Sequence, residues 1–169
     1  MKTASGTGLV LVRCEASEDV FAGLLMVFDD LGVDAASVSG MVGSLQRVEY
    51  ATAVCDPRGR PGYSRSVIRT GPIEIGSAQG HLGRNPAGRP ELHLHGVFFT
   101  DVGTVFGGHV VQAEVLVTVE VALIPDRDVG WSRDYVRVKG SDLLPVLQPI
   151  NTEGNASAPL LKCFDGSLW

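Results

Sequence analysis

Three of the chain's four histidines, His93, His95 and His109, fall in one short segment, Glu91-Leu-His-Leu-His-Gly-Val-Phe-Phe-Thr-Asp-Val-Gly-Thr-Val-Phe-Gly-Gly-His109. Imidazole is the commonest side-chain ligand for divalent metals. Three imidazoles around one ion leave a fourth tetrahedral position open, as in catalytic zinc sites. The alternation Leu92-His93-Leu94-His95 followed by Val97-Phe98-Phe99 reads as a β-strand. Side chains at i and i+2 of a strand share a face, so His93 and His95 point the same way. Thr100-Asp101-Val102-Gly103-Thr104 then supplies a turn. A hairpin centred on Val102 sets His95 directly opposite His109 and leaves His93 one diagonal step away. Opposed Cβ atoms lie ~5 Å apart and diagonal ones ~7–8 Å, within reach of one ion. The competing reading is a bulge at Gly107-Gly108, which shifts the register by one residue and turns His109 to the other face.

Zinc, or another divalent metal, held by three neutral imidazoles can polarise a carbonyl or acidify bound water. That chemistry suits hydrolysis, hydration or dehydration, or enolisation of a small molecule, so the expectation is a zinc-dependent hydrolase or lyase. A proton donor or acceptor is then needed nearby. Glu120 is the first candidate and Glu114 or Glu74 the next, although a carboxylate on a strand also serves as an ordinary salt-bridge partner.

The elements that must position these residues are mostly strands. Leu9-Val-Leu-Val-Arg13 suits a short strand. Ser17 offers a helix cap before Glu18-Asp19, and Val20/Phe21, Leu24/Leu25, Val27/Phe28 and Leu31 make an apolar helical stripe that stops at Gly32. From Ala36 the pattern turns to strands. Ser37–Val54 and Ser64–Thr70 form a pair around the turn Asp56–Gly62, and Gly71-Pro72 breaks the chain before Ile73. Val110–Ile124 is the longest β-rich run, ended by Pro125. The expected fold class is α+β, a mostly antiparallel twisted sheet with one main helix. Residues 1–124 form the domain, and 125–169 form an extension whose Leu143, Leu144, Leu160, Leu161, Phe164 and Trp169 pack it on the body or a neighbour. Val97 and Phe99 share the histidine face, and the alternating residues from Val111 to Leu123 form a stripe that one helix cannot cover. Self-association is the expected consequence.

With 169 residues and 44% hydrophobic side chains, the chain has ample material for a core. It contains no uninterrupted apolar run long enough for a membrane span and no apolar leader, so the cytoplasm is the expected compartment and no membrane partner is expected. Cys14, Cys55 and Cys163 are odd in number and lack a CxxC pair, which indicates neither a disulfide framework nor a thiolate metal site. A net charge of −5 disfavours nucleic acid as a partner, and the arginines are scattered. Pro57-Arg-Gly-Arg-Pro61 matches the core of an AT-hook, but it is flanked by Asp56 and Gly62 and sits between two predicted strands. A hairpin loop is the simpler reading.

Val38-Ser-Gly-Met-Val-Gly-Ser-Leu-Gln-Arg-Val48, Gly71-Pro-Ile-Glu-Ile75 with Gly80, His93-Leu-His95, Gly107-Gly-His109 and Val119-Glu-Val121 resemble, in order and spacing, the plant-and-prokaryote-conserved (PPC) domain family. The resemblance runs from about Leu9 to about Ile124. It implies a compact α+β domain assembled as a homotrimer, with a metal site, commonly zinc, at His93, His95 and His109. Bacterial members are often labelled DNA-binding, so the alternative function is a DNA-associated regulator with a structural metal. The extension, with Trp131, Tyr135, Phe164 and Trp169, departs from a minimal member and could cap a small-molecule pocket.

Overall fold

The computed structural model describes residues 1–151. In chain order, β1 (Lys2–Gly6) and β2 (Leu9–Glu15) form a hairpin, α1 (Val20–Leu31) follows, and β3 (Ala35–Ala51) returns along the sheet. A separate small hairpin of β4 (Ala53–Cys55) and β5 (Pro61–Tyr63) leads into β6 (Val67–Arg84). β7 (Pro90–Thr100) and β8 (Val105–Asp126) form the hairpin that carries the three histidines. β9 (Val129–Arg137) and β10 (Leu143–Asn151) complete the described chain. Leu160, Leu161, Cys163, Phe164 and Trp169 lie outside the described residues.

The helix forms where the apolar spacing requires it: Val20, Leu24, Val27 and Phe28 recur at helical intervals and are all buried. Its cap differs from the expectation. Asp19, not Ser17, holds the extended backbone of an N-cap, and its side chain accepts from the Ala22 N–H at 2.9 Å. Ser17 instead has φ 66, a turn conformation that cannot start a helix. Asp19 also accepts from Gln112 Nε2 at 2.9 Å, which ties the start of the helix to β8. Asp19→Ala is expected to cost about 1 kcal/mol of stability, read as a lowered midpoint of urea unfolding at unchanged slope.

The main sheet has the order β1-β2-β8-β3-β6-β9-β10, and β7 pairs with both β6 and β8. The four strands β3, β6, β7 and β8 therefore close on one another. All of these pairings are antiparallel except the single parallel bridge Arg84↔Ser132 between β6 and β9. One core fills the space between sheet and helix, built from Leu24, Phe28, Leu45, Ile73, Leu82, Leu94, Phe98 and Leu123 among others.

Two sequence expectations about the strands need correction. Gly71-Pro72 does not break the chain: β6 runs through it and carries one extra residue there, between Thr70 and Ile73, against Leu45–Arg47 of β3. The stripe from Val111 to Leu123 is not uncovered either. Ala113, Val115, Val119, Val121 and Leu123 are core residues, and only Val111 and Val117 (63% exposed) point outward. β8 carries extra residues against β3 at Val111 and between Val115 and Val119, and simple alternation fails only there. Exposed apolar side chains gather elsewhere, at Leu11 and Val42 (51% and 59% exposed), on a concavity of about 550 Å³ shared by β1, β2, β3 and β8.

Candidate metal centre

β7 and β8 pair without a shift from Phe99↔Val105 to Leu94↔Val110, and His95 lies directly opposite His109. The alternative of a bulge at Gly107-Gly108 is not met: both glycines pair in register with β7, and the irregularity of β8 lies at Val111, on its β3 side. Against β3, Glu49 pairs with Gln112 and Tyr50 with Val110, so β8 absorbs the extra residue there. Gly108 has φ 151, and a Cβ at that position would overlap the Ala51 carbonyl oxygen. Glycine is thus required for His109 to keep its pairing with His95 while β3 crosses behind it.

Leu92 and Leu94 face the core, so His93 and His95 face away from it. One ligand atom from each of His93, His95 and His109 lies within 4.8 Å of the others. The ring centroids are 5.0 to 5.4 Å apart and the planes are inclined by 57° to 67°. The rings therefore converge by their edges, where the nitrogens are, and do not stack. His93 Nε2 and His95 Nε2 are 3.2 Å apart. Two nitrogens each ~2.0–2.1 Å from a tetrahedral zinc stand ~3.3 Å from one another, so this spacing fits a shared ion. His109 Nδ1 is buried and has no hydrogen-bond partner among the described residues, so it is a nitrogen left free for a ligand.

Burial is the main cause that pulls the His93 and His109 imidazoles down to about 4, helped by the neighbouring histidines and the Arg133 guanidinium. Both rings are neutral near pH 7, the form that ligates.

Other side chains surround this cluster. Tyr63 of the β4–β5 hairpin lies 5.3 Å from the His109 ring. His81 of β6 pairs directly across from His93, places its Nδ1 3.4 Å from Ser37 Oγ, and stacks 5.0 Å from Trp131. Arg133 of β9 bridges to Glu91 Oε2 at 3.3 Å and donates through Nη1 to the Leu92 carbonyl at 3.1 Å. A cavity of about 330 Å³ lined by Ser77, Gln79, His95, Gly96, Val97 and Gly108 opens beside the cluster. His81, Tyr63 and Arg133 were not singled out from sequence. Only the histidine type of His81 was a signal, because the other two arrive through long-range pairing.

The carboxylates proposed for proton transfer do not reach this place. Glu120 pairs with Arg13 and Val42, eleven residues along β8 from His109, or roughly 35 Å at strand rise. Glu114 is bound to Gln46 Nε2, and Glu74 lies opposite Phe99 at another concavity. The carboxylate that shares the histidine face of β7 is Glu91, two residues before His93.

The AT-hook match is folded as a turn. Asp56 accepts from the backbone N–H of Arg58 and Arg60 at 2.8 and 2.9 Å and from Arg60 Nε at 2.7 Å. Arg84 is likewise held by Asp29 and Asp34. Among the described residues, no helix is long and apolar enough to cross a membrane.

This combination of sheet, single helix and histidine hairpin defines a known class. The family model of the Plants and Prokaryotes Conserved (PCC) domain matches residues 1–125, and the chain belongs to that family. The structure is similar to the metal-containing protein AF0104 from Archaeoglobus fulgidus, with a TM-score of 0.68 at 21% identity, covering 86% of this chain and 95% of that one. It is similar to a plant- and prokaryote-conserved (PPC) protein from Pyrococcus horikoshii, with a TM-score of 0.65 at 21% identity over 87% and 95% of the two chains. A third relative, from Ralstonia eutropha JMP134, is named a "putative DNA-binding protein" and gives 0.69 at 16% identity over 87% and 95%. Such identities show a common fold. Curated proteins offer no match.

Proposed function

We propose that the chain is a metal-binding protein, assembled as a homotrimer, that binds a small molecule at His93, His95 and His109 and transforms it by hydrolysis, hydration or dehydration, or enolisation. The observation that carries this reading is the edge-on convergence of three imidazoles, one with a buried Nδ1 that has no partner among the described residues. A divalent metal, zinc above all, would supply Lewis acidity there. The chain's own residues hold that position and shape access to it: Tyr63 borders it on one side, Trp131 and Arg133 on the other, and the cavity by His95 is of a size for small ligands. Self-assembly is supported by the exposed Leu11 and Val42 and by the concavity around them, at the far end of β3 and β8 from the histidines.

The DNA-associated reading draws on the names of structural relatives at 16% and 17% identity. The acid-paired Arg60 and Arg84 and the net charge of −5 count against it. Metal analysis of the purified chain, combined with light scattering, tests the leading proposal. One divalent ion per chain in a particle of three chains is the expected result, and a metal-free protein would sink it. A gel-shift titration at low salt tests the alternative, since phosphate-driven binding must appear there and weaken steeply as salt rises.

A further inference from the structure

β9 lies beyond the residues matched by the family model, yet it is docked tightly at the histidine face. The Trp131 N–H donates to the Asp34 carbonyl at 3.1 Å, and Ser132 bridges to Arg84. The backbone of Trp131 packs against Gly83 so closely that any Cβ there would overlap it. Trp131 and Arg133 are two residues apart on one strand, so they share a face. That face is turned toward the site: the Trp131 ring lies on His81, and Arg133 reaches Glu91 and the backbone one residue before His93.

Arg133 is only 12% exposed, an uncommon position for a guanidinium. Its Nε faces Glu91 and its Nη1 the Leu92 carbonyl, and among the described residues Nη2 has no acceptor. Glu91 is itself shared with Asn85, whose Nδ2 donates to Oε1 at 3.0 Å. A largely buried cation thus stands beside the three imidazoles, with its field felt at both His93 and His109. A planar fork of N–H donors in such a place matches the oxygens of a carboxylate or a phosphate.

We propose that Arg133 is the anion-recognition residue of the histidine centre, and that the molecule bound there carries an oxyanion, carboxylate or phosphate ester, held between Arg133 and the metal. This inference rests on the metal reading of the three histidines and adds a ligand class to it. Arg133 also docks β9, and a purely docking role would not distinguish a charged ligand from a neutral one of the same shape.

The test uses the full chain loaded with Co2+, whose visible absorption reports the ligands around the ion. Acetate and methyl phosphate serve as probes, with acetamide as the neutral isostere of acetate. The parent chain is expected to show a saturable spectral change with acetate or methyl phosphate and none with acetamide at the same concentrations; the tighter of the two anions identifies the ligand class. Arg133→Gln is expected to take up Co2+ with the same stoichiometry and resting spectrum but to bind the anion at least tenfold more weakly, and Arg133→Lys to recover part of the loss. If Arg133→Gln keeps its cobalt and binds the anion within twofold of the parent, or if acetamide binds as well as acetate, this inference is overturned while the metal reading stands. If the parent chain takes up no Co2+, the metal reading fails first and this one with it.

Discussion

His93→Ala is expected to abolish stoichiometric metal binding, weakening affinity by at least a hundredfold, with His95→Ala and His109→Ala close behind. All three rings converge on one point from a paired hairpin, and none of the remaining nitrogens can move into the vacated place without breaking that pairing. Metal content after dialysis against a weak chelator reads the effect, and unchanged content in His93→Ala would refute the site. The pH dependence follows from the same geometry. His93 and His109 are held at about 4 in the folded protein, chiefly by burial, against ~6.5 for a free histidine. Between these values the unfolded chain binds more protons than the folded one. The stability contributed by the neutral rings is therefore complete above ~6.5 and is lost as pH falls through about 4. In the metal-free protein, the unfolding midpoint should fall across that window, and the fall should shrink when His93 and His109 are both replaced by glutamine.

Gly108→Ala is expected to destabilise the protein by about 2–4 kcal/mol and to weaken metal binding in the same variant, because two costs coincide there. The backbone has φ 151, which side chains rarely adopt, and the added methyl meets the Ala51 carbonyl of β3. β8 must then move away from β3 or turn, and either movement displaces the adjacent His109. Alanine at Gly103, whose φ of 78 is also positive but whose surroundings are open, supplies the comparison: strain without collision, and no effect on metal. Thermal unfolding and metal titration of the two variants separate the contributions. Equal metal affinity in both would show that β8 tolerates the displacement.

The histidine hairpin was legible because it is a local structure. Turn residues fix its centre, alternation fixes its faces, and those two facts bring His93, His95 and His109 together without knowledge of the remaining chain. The helix was legible for the same reason, apart from a cap displaced by two residues. Glu120 was misjudged although its distance was legible: eleven residues along one β-rich run place it roughly 35 Å from His109, too far for proton transfer there. Irregularities within the β3–β8 pair turn Val111 and Val117 outward, which an alternation pattern has no means of registering. Arg133, Tyr63 and His81 reach the site from β9, β5 and β6, so their presence beside the ligands is a property of the topology alone.

The closed pairing of β3, β6, β7 and β8 also bears on how the molecule goes wrong. A strand with an unpaired side is a template on which a foreign strand can add, the usual start of misassembly. Among the described residues, β7 from Leu94 to Phe99 and β8 around His109 are paired on both sides, so His95 and His109 offer no such template, whereas His93 pairs with β6 alone. The sheet's outer strands are β1 at one end and β10 at the other, neither of which carries a metal ligand. Strand addition by another chain is thereby directed to the margins of the sheet, away from His95 and His109.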